Sequence, residues 1–176
     1  MRLLMLVPLA ALAACGGGDT EQKAKAKAGP AVMPAGQWES TLEVTNFRRT
    51  DEGEPKLNMP NGTRTTGAGC VPGGADARPP LELFAGPDFE NCRWAENFYQ
   101  RNGRLVSSGT CERDGVGEVE VTISADYTED GFEGTAEMLT RLVSDGDVQL
   151  GARIQGRRTS GQCTPEAEGG NQAKAR

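Results

Sequence analysis

The chain has 176 residues, no His, and 19 Lys plus Arg against 25 Asp plus Glu, for a net charge of −6. That balance argues against nucleic-acid binding, which needs a basic footprint, and the lack of His removes His-based triads, His metal ligands and the commonest general base. With 24 Gly, 10 Pro and 5% aromatic residues, the composition describes one turn-rich β domain without long helices.

The N-terminal stretch carries Arg2 and an apolar run over residues 3–12, the charge and length of a secretory signal. A membrane-spanning helix needs roughly twenty apolar residues, and this run meets Gly16-Gly17-Gly18 too soon. Leu12-Ala13-Ala14-Cys15 resembles a bacterial lipobox. The resemblance implies that residues 1–14 are removed and that Cys15 becomes the lipid attachment site and the link to the membrane. A single acyl chain anchors marginally, at about 0.8 kcal/mol per buried methylene, so the several chains of a lipoprotein make the attachment durable. Gly16 in place of Asp after the Cys implies the outer membrane, with the domain on its periplasmic side. Residues 15–35 have no apolar periodicity and read as a tether, spanning roughly 25 Å for about twenty flexible residues.

Residues 36–165 are expected to form the β domain, followed by a disordered polar tail at 166–176. Trp38, Leu42 and Val44 alternate with polar residues, as do Val119, Val121, Ile123 and Tyr127, then Phe132, Ala136 and Met138, then Val148, Leu150 and Ile154. This period of two marks strands with one dry face and one wet face. Asn61-Gly62, Asn102-Gly103, Asp114-Gly115, Asp130-Gly131 and Asp145-Gly146 separate the runs, and Asn or Asp before Gly tolerates the positive φ of hairpin turns. A further strand is expected near residues 63–70 and one short helix near 80–85. The expected fold is all-β: one antiparallel meander of about seven strands, closed into an up-and-down barrel or strongly curved, with the first strand pairing the last.

Four cysteines remain, Cys70, Cys92, Cys111 and Cys163, none in a C-x-x-C pair, so disulfides and no metal site are expected in an exported chain. Cys92 and Cys111 lie almost symmetrically about Asn102-Gly103, which pairs them across a hairpin and leaves Cys70 for Cys163. No catalytic residue and no cofactor are assigned. Gly67-Ala68-Gly69-Cys70 lacks the spacing and following helix of a phosphate loop. The segment from Asp126 to Glu137 matches parts of a calcium loop, yet its flanks alternate with period two, so a hairpin explains it better. Trp38, Trp94, Phe98 and Phe132 are core residues or, if the barrel is roomy, candidates to line an apolar cavity.

Gly36-Gln37-Trp38-Glu39-Ser40-Thr41, the lipobox and the four spaced cysteines together resemble an uncharacterised bacterial family, domain of unknown function 3617. The resemblance implies an exported β-rich domain and no catalytic residues. The expected protein is a monomeric, non-enzymatic lipoprotein that binds a small apolar ligand or an envelope component. A protein-protein module such as a lysozyme-type enzyme inhibitor, and a purely structural envelope protein, are the alternatives.

Overall fold

The computed structural model describes residues 29–163. Cys15, the signal-like segment and the tail from residue 164 lie outside the described residues. Among the described residues eight strands run in chain order: β1 (Gly36–Arg49), β2 (Arg64–Val71), β3 (Glu90–Trp94), β4 (Tyr99–Arg101), β5 (Arg104–Arg113), β6 (Gly117–Tyr127), β7 (Gly131–Thr140) and β8 (Val148–Ser160). A short helix, α1, is Glu82–Ala85. Among the described residues no helix is long and apolar enough to cross a membrane.

The strands form one antiparallel sheet in the order β2-β1-β8-β7-β6-β5-β3, with β4 also paired to β5. The expected meander is present from β5 to β8, and the first long strand pairs with the last, Leu42 opposite Ile154. The sheet does not close: it is a half-barrel with β2 and the β3/β4 pair at its two edges. Alternation sets its faces. Val119, Val121, Ile123 and Ala125 on β6 are buried, as are Trp38, Ser40, Leu42 and Val44 on β1, while Thr122, Glu39 and Thr41 between them are exposed.

One strand more than expected arises because the stretch opposite β5 is broken. Residues 95–98 separate β3 from β4, and the β3 register slips between Glu90 and Arg93. Asn102 and Gly103 turn β4 into β5 with φ of 51° and 83°, the positive values a two-residue hairpin requires. Gly131 differs from its expected turn role. It opens β7 opposite Arg157, and the turn before it closes through Thr128, whose N–H donates to the Gly131 carbonyl at 2.8 Å.

An open sheet would leave its apolar face wet, and three irregular segments cover it. The lid over residues 79–89 carries α1 and buries Leu81, Leu83, Phe84 and Phe89. It fits against β2 because Gly67 and Gly69 have no side chains there: a Cβ on Gly67 would lie 3.3 Å from the Glu82 and Leu83 carbonyls, and one on Gly69 would meet Pro80. Ser40 Oγ donates to the Leu83 carbonyl at 2.5 Å. At one end of the half-barrel the loop 50–63 tucks in Leu57 and Met59. Asp51 secures it by accepting from the N–H groups of Gly146 and Asp147, each at 2.8 Å.

At the other end lies a segment read from the sequence as tether. Residues 30–35 belong to the domain. The Gly103 N–H donates to the Pro30 carbonyl at 2.8 Å, Tyr127 Oη to that of Ala31 at 3.1 Å and Trp38 Nε1 to that of Pro34 at 3.0 Å. Met33 is buried, and one apolar side chain in a polar stretch produces no periodicity to read. Cys92 is bonded to Cys111, and Cys70 to Cys163, with Cα separations of 4.0 and 5.4 Å. Both pairings are those expected.

Candidate functional site

Three of the four aromatics named as cavity candidates pack in the interior or against the lid. Trp38 contacts Phe132 with ring centroids 6.0 Å apart, Phe132 contacts Phe84 at 5.0 Å, Phe84 contacts Trp94 at 6.0 Å and Trp94 contacts Phe98 at 5.0 Å. The rings form one chain running from fully buried Trp38 towards the surface, in the tilted and edge-on geometries aromatic quadrupoles favour. Trp94 Nε1 donates to the Pro79 carbonyl at 2.6 Å, so the chain also holds the lid. Phe84, in the middle, was missed in the sequence because α1 spans only four residues and displays no repeat.

Trp38, Trp94 and Phe132 line none of the three most prominent concavities. Phe98 borders the smallest, about 230 Å³, together with Val32, Arg78 and Gln100. There the Arg78 guanidinium lies 4.9 Å from the centre of the Phe98 ring, a cation-π contact that occupies the ring face.

The largest of these three, about 830 Å³, lies elsewhere. Its lining comes from β1 (Glu39, Ser40, Thr41), β2 (Thr66, Gly67, Ala68) and β8 (Gln155, Gly156, Arg157), with Pro87 from the lid beside them. Glu39, Thr41, Thr66, Ala68, Gln155 and Arg157 are exposed, so this cleft is on the outer face of the sheet. Of its small residues only Ala68 faces outward; Gly67 and Gly156 contribute backbone, their Cβ positions lying on the inner side, where they would meet the lid carbonyls and the Phe132 ring. Its polar rim is neutralised within itself, Arg157 Nη2 lying 2.9 Å from Glu39 Oε2.

Among the described residues the cleft opens onto a strand edge without a partner strand. The Val44 N–H donates to the Thr63 carbonyl at 2.9 Å, and Leu42, Ser40 and Trp38 then face Thr65, Gly67 and Gly69. Backbone groups alternate along an antiparallel ladder, so those of Thr66 and Ala68 point away from β1. The sequence held a signal for this edge in the run Gly67-Ala68-Gly69, too small to fill space.

The remaining outer face carries charge pairs such as Arg104 with Asp126 at 2.9 Å and Arg93 with Glu118 at 2.8 Å, exposed bridges of little individual worth. The segment resembling a calcium loop is the β6–β7 hairpin: Asp126 stands opposite Glu133 and Glu137 opposite Thr122, four rungs away. No cluster of acidic or cysteine side chains able to hold a metal ion exists among the described residues. Among the described residues two groups, Asp51 and Tyr127, depart from their ordinary titration range. Hydrogen bonding from the Asp147 N–H, then from Gly146 and Gly53, with Arg49 nearby, holds the Asp51 carboxyl below the usual range against an opposing desolvation. Burial raises the Tyr127 phenol. Both are accounted for as anchors of loop and terminus.

Residues 33–163 match the family described as "Protein of unknown function (DUF3617)". No curated protein and no solved structure matches the chain.

Proposed function

The chain belongs to this family of unknown function, and from that premise we propose that it is an exported, non-enzymatic lipoprotein, held through Cys15 on the periplasmic side of the outer membrane, whose β domain binds another polypeptide of the envelope at the cleft over β8, β1 and β2. One observation carries the reading: the interior is filled by the chain's own aromatics, while the most prominent concavity lies outside, beside β2, which among the described residues has a partner strand on one side only. A small apolar ligand has less to bind, since Trp38, Phe84 and Phe132 satisfy one another. Catalysis lacks a free acid-base pair in the cleft, where Glu39 is engaged by Arg157.

The test has two arms in a bacterium with two membranes. Cys15→Ser releases the protein from the membrane fraction; retention in that fraction refutes the anchor. A photo-crosslinking residue at Thr41 gives an adduct with a polypeptide, and a lipid adduct or none overturns the choice of ligand.

A further inference from the structure

We infer that the corner formed by the β4–β5 hairpin rests on the lipid surface that carries the anchor, with Tyr99 and Val106 at the headgroup level and Arg101 on lipid phosphate. The inference rests on the reading of Cys15 as the lipid attachment site and adds how the domain is held there.

The point at which the chain enters the domain sets which end lies near lipid. Gly29 packs on Gly103, where a Cβ on either would meet the backbone of the other. The Asn102 N–H donates to the Ala31 carbonyl at 3.3 Å and the Gly103 N–H to that of Pro30 at 2.8 Å, so the entry is tied to the hairpin tip. Thirteen residues, 16–28, separate Cys15 from Gly29, and read as a tether they span roughly 20 Å. Strand β6, with 11 residues, is longer than that, about 37 Å at roughly 3.4 Å per residue. The hairpin end is therefore kept near the bilayer, and loops 50–63 and 141–147 at the opposite end project away from it.

Exposed apolar surface gathers at that same corner. Among the described residues the exposed large apolar side chains are Tyr99, Val106 and Val143, and the first two stand opposite each other on β4 and β5, 50% and 39% exposed. Such residues scattered singly are ordinary; here a cross-strand pair sits three residues from the Asn102-Gly103 tip. Tyr suits the membrane interface, with its ring among the headgroups and its hydroxyl in water. On the same face Arg101 stands opposite Arg104, a pairing of like charges that destabilises unless it is compensated. Arg104 is compensated by Asp126 at 2.9 Å and Ser124 at 2.8 Å. Arg101 forms no ion pair among the described residues, and lipid phosphate supplies the missing anion while its stem lies along the apolar pair. Glu96, in the β3–β4 loop, is set back from the tip, its neighbour Ala95 bonding to Ser108. Glu129 and Asp130 lie on the β6–β7 turn at the hairpin end, and their repulsion from the same phosphates tilts the domain onto the β4–β5 corner. Strands β6 and β7 then separate the contact from β8, β1 and β2, which leaves the cleft open to the periplasm.

The test uses the full chain, purified from a bacterium with two membranes and reconstituted in vesicles of phosphatidylethanolamine with phosphatidylglycerol. With Cys15 carrying lipid and the other four cysteines in disulfides, one new cysteine takes a polarity-sensitive fluorophore. It is placed at the corner by Val106→Cys or at the opposite end by Val143→Cys. Emission from position 106 shifts to the blue and is quenched by lipids brominated high on the acyl chain; emission from position 143 does neither. Tyr99→Ser with Arg101→Glu changes two exposed side chains outside the core, so the far-ultraviolet spectrum is kept and the probe at 106 returns to its aqueous emission. A probe at 106 as wet as that at 143, equal quenching at both, or no response to the double substitution overturns the inference. The mass of the purified chain separates the two failures. A lipidated chain with a wet probe at 106 keeps the anchor and loses the contact, whereas an unmodified Cys15 removes the anchor and the contact with it.

Discussion

Ser40 Oγ donates to the Leu83 carbonyl at 2.5 Å, linking the sheet to its lid across 43 residues of sequence. Both partners are buried, and a buried acceptor left without its donor costs about 1–3 kcal/mol. Ser40→Ala is therefore expected to lower the unfolding free energy by that amount, read as a lower urea midpoint with an unchanged slope. An unchanged midpoint would mean that the lid is held by Trp94 and the Phe84 ring alone.

Trp38 and Phe98 stand at opposite ends of one chain of rings, and their truncations separate a filled interior from a loose one. Trp38→Ala is expected to cost about 3–5 kcal/mol. Phe98→Ala, at the half-exposed end, costs clearly less. Thermal unfolding of both variants measures the difference; equal losses would restore an interior roomy enough to bind a ligand.

The two disulfides close loops of unequal size, with separations of 19 and 93 residues. On the chain-entropy account their removal costs about 3 and about 4.7 kcal/mol respectively. Replacing Cys70 and Cys163 with Ser should thus destabilise more than replacing Cys92 and Cys111. Chemical denaturation of the two double variants gives the order, and a reversed order would assign the stabilisation to local packing around Cys111, which is buried.

Asp51 makes the β1–β2 loop sensitive to acid. Its carboxyl titrates below the ordinary range because of the Asp147 N–H and its neighbours. A depressed folded value gives stability that is present above the unfolded value and disappears as pH falls through the folded one. Asp51→Asn should flatten the stability curve on the acid side of the usual aspartate range and leave its neutral-to-alkaline shape unchanged. Parallel acid curves for the two proteins would contradict the role of these backbone donors.

The long strands and the cysteine pairs were legible because burial on one face writes a period of two into Trp38 to Val44 and Val119 to Tyr127, and because Cys92 and Cys111 flank an Asn-Gly turn. The parts that complete the domain were not. Met33, Leu57 and Phe84 each bury a side chain from irregular backbone, where no repeat precedes them. The cleft was invisible for a related reason: it depends on β8, β1 and β2 lying side by side and, among the described residues, on β2 having a partner strand on one side only, a property of topology and not of composition.

Pairing β1 with β8 has a temporal consequence. Leu42 and Ile154 must meet across more than a hundred residues, and loop closure over such a span is paid before the contact returns anything. A chain still emerging, with β8 not yet available, has β1 without one of its two neighbours and Cys70 without Cys163. Assembly of this domain is thus an event that waits for its final strand, and any chain cut short before Val148 lacks the strand that joins β1 to β7.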